Sequence, residues 1–220
     1  MDDMSRPRPL PADTSRPAGP GRPKDLGKRA AILLAAKRMF VRDGFEGVSM
    51  DQIAAEAGVS KLTVYSHFGD KGNLFSEAVR AHCEESIPAA LFEPAPGVPL
   101  RERLVAIGHA FVAMVMTPDA IAAHRILCAP QVAGSGLADR LWAAGPRRLQ
   151  ASFTALLERR ILAGELDIPD PVRAASHFFS LLKGDPHSQA VYGLPGGDTG
   201  SVDAHVDSVV DMFLRAYARR

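Results

Sequence analysis

The spacing of apolar residues is the feature that most constrains how this chain can fold. From Leu26 to Tyr217 apolar side chains recur every three or four residues, and no useful length of sequence alternates between apolar and polar positions. A period of three to four places side chains on one face of an α-helix. Pro118, Pro146 and Pro171 each stand where a predicted helix begins, a position at which the missing N–H is harmless. The pattern predicts an all-α chain.

The predicted helices form two groups that differ in length. Residues 24–80 hold four helices, two of them barely two turns long, and residues 81–220 hold mostly longer helical segments. The long helices are predicted over residues 100–116, 118–132, 137–144, 146–163, 171–192 and 202–219. Gly184-Asp185-Pro186 should bend or split the penultimate helix. We therefore expect a small N-terminal domain and a larger C-terminal helical domain.

The first 23 residues differ from the rest of the chain. They contain six of the 17 prolines, with glycine, serine and four arginines between them. A segment of this composition cannot bury apolar surface, so we expect a disordered arm at residues 1–23. Its arginines either contact a polyanion or are simply solvated.

Composition and charge exclude several classes of protein. The net charge is +1, divided as +1 over residues 1–23, +2 over residues 24–80 and −2 over residues 81–220, which permits nucleic-acid binding at one end without requiring it. The longest apolar runs have seven residues, whereas a membrane span needs roughly 20. Cys83 and Cys128 provide neither a disulfide framework nor a zinc-ligand set. We expect a cytoplasmic protein without a metal or another cofactor.

Residues 49–68 follow the order of a helix-turn-helix. Ser49 stands at an N-cap position, Gly58 allows the turn a positive φ, and Ser60 caps a second short helix. The second helix would then be free to lie in the DNA major groove. Spacing alone also permits a plain helical bundle with polar residues outside.

The second of these helices has a predictable outer face. With Val64 placed inward, steps of 100° put Phe68 on the same side and turn Leu62 and Ser66 outward. A leucine exposed there could contact the methyl group of thymine, the apolar group of the major groove. The alternative is that Leu62 packs back onto the preceding helix.

Residues 27–79 resemble the N-terminal domain of TetR/AcrR-family transcriptional regulators. The resemblance lies in a run in which Tyr65, Phe68, Lys71, Leu74 and Phe75 match the family's Tyr-x-x-Phe-x-x-Lys-x-x-Leu-Phe. The C-terminal part is similar to the AefR-like subgroup, through Arg-Ile-Leu-Cys at 125–128 and His-Phe-Phe-Ser-Leu-Leu-Lys-Gly at 177–184. The resemblance implies a homodimer that grips palindromic operator DNA.

Carried over by position, the resemblance implies a set of residues that contact DNA. Lys61, Leu62, Thr63 and Tyr65 would face the groove, and the others would contact phosphates, partly through backbone N–H groups. The full set is Ser49, Met50, Ser60, Lys61, Leu62, Thr63, Tyr65, Ser66, His67 and Lys71. Leucine at position 62 departs from the family, which usually has a small residue there.

The larger domain carries two further predictions. A broad apolar stripe near the C-terminus predicts a dimer interface, although packing in the chain's own core would give the same pattern; its residues are Val202, Val206, Val209, Phe213 and Tyr217. Bulky, adaptable and polar groups suggest an effector site, although each group could equally be core; they are Phe111, Met114, His124, Arg125, Cys128, Trp142 and His177.

Three functions compete at this point. The first is a one-component repressor that leaves its operator when a small lipophilic compound binds. The second is an activator or autoregulator with no small ligand. The third is an enzyme, for which the nearest catalytic pairing is His177 with Asp167 or Asp170, and the chain lacks a Gly-rich phosphate loop, a GxSxG elbow and an HExxH motif.

Overall fold

The computed structural model describes residues 25–95, 97–128, 130, 134, 136–194 and 201–219. The predicted arm, residues 1–23, lies outside the described residues. The helices are α1 Leu26–Asp43, α2 Met50–Glu56, α3 Lys61–Phe68, α4 Lys71–Ser86, α5 Leu100–Val115, α6 Pro118–Leu127, α7 Leu137–Ala144, α8 Pro146–Leu162, α9 Pro171–Tyr192 and α10 Val202–Tyr217. Over these ranges there is no strand, only an isolated bridge between Leu166 and Ala218. The prediction of an all-α fold is confirmed.

Side-chain caps set the starts of the N-terminal helices. Ser49 forms a capping box with Gln52 at the start of α2, and Ser60 accepts the backbone N–H of Thr63 at the start of α3. Asp70 caps α4 in the same way. These hydrogen bonds satisfy N–H groups that have no partner within the helix.

Apolar side chains collect into two cores, and α4 runs from the first core to the start of the second. The first core is built by α1 to α4 and extends along the chain to Ala78, whereas the second begins at Ile87, the residue that ends α4. The predicted boundary between residues 80 and 81 therefore falls inside a continuous helix. Pro88 follows directly, and α4 ends before it.

The C-terminal stripe predicted as a dimer interface packs inside the chain. Val206, Val209 and Phe213 are buried in the second core, so their assignment to an intersubunit surface is wrong. Helix α5 closes over them because Gly108 has no side chain: a Cβ there would lie 2.7 Å from Cγ1 of Val206. Tyr217 packs against Phe213 with 4.9 Å between ring centroids. Val202, in the first turn of α10, is exposed.

A kink interrupts α9 where the sequence predicts one. Gly184 adopts φ 50°, ψ −162°, and Pro186 lies within the helix two residues later. Because Pro186 has no N–H, the carbonyl of Leu182 loses its usual helical donor. Nε2 of His205, on α10, lies 3.0 Å from that carbonyl oxygen. A side chain from the neighbouring helix therefore gives the carbonyl at the kink a hydrogen-bond partner.

We expect His205→Ala to lower the free energy of unfolding by about 1–3 kcal/mol, because it leaves the carbonyl of Leu182 without a donor. His205→Gln, which can still donate, should recover part of the loss. The control is His109→Ala, at a partly exposed position on α5. Urea denaturation measures all three variants. A His205→Ala protein as stable as the wild type would contradict this role.

Candidate nucleic-acid interface and internal cavity

Helix α3 is buried on one face and open on the other. Val64 and Phe68 are buried in the first core, as predicted, while 79% of Leu62 is exposed. The alternative in which Leu62 packs back onto the preceding helix is wrong. Tyr65 and Ser66 are also exposed. A surface of apolar, aromatic and hydroxyl groups therefore projects from a rigidly seated helix.

The turn before α3 fixes how this helix is presented. Gly58 has φ 65°, a conformation that glycine adopts without strain, and the N–H of Val59 donates to the carbonyl of Ala54 over 3.0 Å. Oγ of Ser60 lies 2.8 Å from Oγ1 of Thr63. Two predicted contact residues thus bind each other at the start of α3.

Lys61 is held by α2. Its ammonium lies 2.8 Å from a carboxylate oxygen of Asp51, and this hydrogen-bonded pair raises the pKa of Lys61. The same ammonium lies 5.9 Å from the ring centroid of Tyr65. Lys61 therefore stands charged beside the exposed face of α3, where phosphates can compete with Asp51 for it.

Two predicted phosphate contacts have internal roles. The side chain of Met50 is buried, which limits this position to a contact through its backbone N–H. The ammonium of Lys71 donates to the carbonyl of Phe45 over 2.9 Å and lies 4.3 Å from the Phe45 ring centroid and 3.8 Å from Glu46. Lys71 thus holds the segment between α1 and α2.

His67, in the last turn of α3, is also among the residues predicted to contact DNA. Within the described part of the chain, its buried Nδ1 has no hydrogen-bond partner. The ring lies beside Phe68, with 6.1 Å between centroids.

A cavity of about 500 Å³ lies between the two cores. This volume suits a small ligand, and most of the lining is apolar. Four residues predicted for an effector site line it: Phe111, Met114, His124 and Trp142.

The other three predicted effector residues do not line this cavity. Arg125 is exposed and donates to the carbonyls of Ala190 and Val191, each over 2.6 Å, where it caps the C-terminus of α9. Cys128 is exposed in the turn after α6. His177 is exposed because it lies two residues, about 200°, from Phe179, which does face the cavity.

Sequence reasoning missed the wall that the N-terminal domain contributes. Helix α1 supplies Leu34, Phe40 and Val41, and α4 supplies Phe75 and His82. Their helical spacing fits an ordinary core, and only the packing of α6 beside α1 shows that they border a space. Two helices of the N-terminal domain thus form part of the cavity wall.

Three basic side chains, those of Lys183, His124 and His187, lie at or beside one end of the cavity. Lys183 lines the cavity, and burial lowers its pKa. His124 and His187 lie next to each other, with ring centroids 5.1 Å apart. Burial lowers the pKa of His187 to about 4, and the charges of Lys183 and His124 act in the same direction. Burial, followed by Lys183, also lowers the pKa of His124.

The grouping and composition of residues in the described ranges bear on metal binding and on membrane insertion. No cluster of three or more His, Cys, Asp and Glu side chains is placed there to hold a metal ion. No single helix there is long and apolar enough to cross a membrane, although α5 and the first part of α6, bent by 64°, satisfy the length and composition criteria together.

The fold and the exposed α3 define a helix-turn-helix regulator with a second helical domain. Residues 32–78 match the family described as bacterial regulatory proteins, tetR family, and residues 102–219 match the C-terminal domain of AefR-like transcriptional repressors. The chain therefore belongs to the TetR family, whose members are transcriptional regulators rather than enzymes.

Individual relatives and solved structures to which the chain is similar are also transcriptional regulators. The regulator BetI of Agrobacterium fabrum is 30% identical over 86% of this chain and 89% of its own length. The transcriptional activator FasR of Mycolicibacterium smegmatis is 35% identical over 44% of this chain and 46% of its own length. The solved structure of the flavonoid-responsive regulator FrrA, 28% identical, covers 89% of this chain and all of its own, with a TM-score of 0.69.

We expect His187 to make the protein sensitive to acid. Its pKa is about 4 in the folded protein and about 6.5 when unfolded. As the pH falls through this window the unfolded chain takes up a proton that the folded protein does not, so about 3 kcal/mol of stability is lost by pH 4.

Urea denaturation at a series of pH values tests this expectation. His187→Gln should flatten the loss of stability between pH 6.5 and 4, whereas His177→Gln, at an exposed position, should leave it unchanged. Equal slopes for His187→Gln and the wild type would refute the expectation.

Proposed function

We propose that this protein is a one-component transcriptional repressor that binds a palindromic operator as a homodimer and leaves it when a small lipophilic effector fills the cavity. The observation that carries the proposal is the open face of α3, with Leu62 exposed above a buried Val64. A helix seated in this way can enter the major groove, where Lys61 and Tyr65 flank the leucine.

The cavity supports control by a ligand. Its wall includes α1 and α4, which pack on α3 within the first core. A ligand that wedges between α4 and α6 would favour a different orientation of the DNA-binding domain. Two recognition helices in a dimer must match the helical repeat of DNA, so a small rotation lowers operator affinity.

The descriptions of the matching family and relatives favour a repressor, and one of them supports an activator as the alternative. The C-terminal family is described as AefR-like repressors, and FrrA is described as flavonoid-responsive, which supports a small organic effector. FasR is described as an activator. An activator with the same interface is therefore the second candidate.

Binding to the DNA upstream of the protein's own coding sequence tests the proposal. Affinity should fall linearly with salt on logarithmic axes, and a protected site should show two-fold symmetry. A reporter fused to that site separates the two candidates, because a repressor lowers its expression and an activator raises it. Binding that neither depends on salt nor protects a symmetric site would contradict the proposal.

We expect Leu62 to read a thymine in each half-site, because the thymine methyl offers an apolar contact to an exposed leucine. Leu62→Ala should cost about 1 kcal/mol of preference at one symmetric position and leave the other positions unchanged. Leu162→Ala, at an equally open position on α8, is the control. Affinities for single-base operator variants measure the effect, and an unaltered preference would assign Leu62 a different role.

The dimer should form through the outer faces of α9 and α10. Leu181 on α9 and Met212 on α10 are exposed by 38% and 50%, whereas the inner stripe of α10 is already buried. Met212→Glu should therefore yield a folded monomer, because it puts a charge into the intersubunit surface without touching either core.

Sedimentation velocity at micromolar concentration measures this effect, and circular dichroism confirms folding. Leu162→Glu, at an exposed position distant in sequence, should remain dimeric. A monomeric wild type, or a dimeric Met212→Glu protein, would refute the assigned surface.

A further inference from the structure

The cavity holds a cation without an acidic partner. Lys183 lines it, and among the described residues no carboxylate lies within ion-pair distance of its ammonium. Lys37, also in the wall, is by contrast 2.7 Å from Glu85. Moving an ammonium away from water is costly unless a counter-charge replaces the water. Lys183 is therefore a site of unsatisfied positive charge.

The charge of Lys183 lies at the kink in α9. Ser176, Phe179, Ser180 and Lys183 follow one another at positions i, i+3, i+4 and i+7, so they form one stripe of α9 along the cavity. The regular helix ends at Gly184, the residue that directly follows Lys183. Lys183 thus stands at the end of the stripe, where α9 changes direction.

The surroundings of Lys183 favour an oxyanion over a second cation. His124 lines the same cavity and its imidazole can donate a hydrogen bond beside the ammonium. Burial is the main cause that lowers the pKa of both His124 and His187, and the charge of Lys183 acts in the same direction on each ring. The remaining acidic group of the wall, Asp119, is exposed in the first turn of α6 and makes no ion pair with Lys183.

The rest of the cavity suits an apolar body. Phe111, Met114 and Phe179 line the side contributed by α5 and α9, and Phe75 and Leu34 line the opposite side. A ligand complementary to both parts has a hydrophobic chain or ring system with one anionic end.

We propose that the effector is an amphipathic carboxylate, whose carboxylate binds Lys183 and whose apolar body extends toward α1 and α4. This proposal rests on the proposed function only in calling the ligand an effector. The binding site itself depends on the cavity and on Lys183.

Three ten-carbon probes with the same chain test the charge preference. Decanoate, decanol and decylamine differ only in the head group, and calorimetric titration of the full-length protein gives their affinities. Decanoate should bind at least about tenfold more tightly than decanol, because the ammonium forms a charge-assisted hydrogen bond with it. Equal affinity for decanoate and decanol, tighter binding of decylamine, or no binding of any probe would overturn the proposal.

Substitutions at two lysines then locate the head group. Lys183→Met should abolish the preference for decanoate while leaving decanol affinity unchanged, and Lys183→Arg should keep the preference. Lys37→Met is the matched control, since this lysine already has Glu85 as its partner, and it should keep the preference as well. Thermal unfolding verifies that each variant is folded. A preference that survives in Lys183→Met would refute the assignment.

Operator binding is measured separately in the presence of decanoate, so that the two proposals fail in different ways. Decanoate that binds through Lys183 but leaves operator affinity unchanged would overturn its role as effector and preserve the binding site. Loss of operator binding in every condition would instead overturn the proposed function.

Discussion

The structure depends on the continuity of helix α4. Its first half completes the core that seats α3, and Ile87, the residue directly after the helix, is the first residue of the other core. Along the same helix, Phe75, Ala78 and His82 form part of the cavity wall. Under the proposed function, a ligand that displaces the C-terminal half of α4 also shifts the first core, because α4 is a continuous helix of 16 residues.

Ion pairs strengthen this link along α4. Arg29 of α1 and Arg80 of α4 both bind the carboxylate of Glu77, and the hydrogen bond from Arg80 is the main cause that lowers the pKa of Glu77. Arg80 also contacts Glu84, whose carboxylate lies 3.5 Å from Arg148 of α8. The chain of charges thus runs from the first helix to the C-terminal domain. Each exposed pair contributes little alone, but together they favour one relative orientation of the domains.

Local sequence signals predicted the helices and the open face of α3, because caps, turns and helical periodicity are encoded by neighbouring residues. Ser60, Val64 and Leu62 have the cap, buried and exposed positions expected of them. The apolar stripe of α10 was assigned incorrectly, since amphipathicity shows that a face needs a partner and does not show whether that partner is another subunit or α5. The place of Lys183 in the cavity wall could not be predicted, because its partial burial depends on how α9 packs and kinks.

Filling the cavity by substitution tests the coupling between the cavity and DNA most directly, without knowledge of the effector. Ala123 of α6 lines the cavity, and Ala151 of α8 is exposed. Operator affinity is measured for Ala123→Trp and for the control Ala151→Trp, with loss of decanoate binding as the sign that the cavity is filled. We predict that Ala123→Trp weakens operator binding while Ala151→Trp does not. A folded Ala123→Trp protein that no longer binds decanoate but binds the operator as tightly as the wild type would contradict the account.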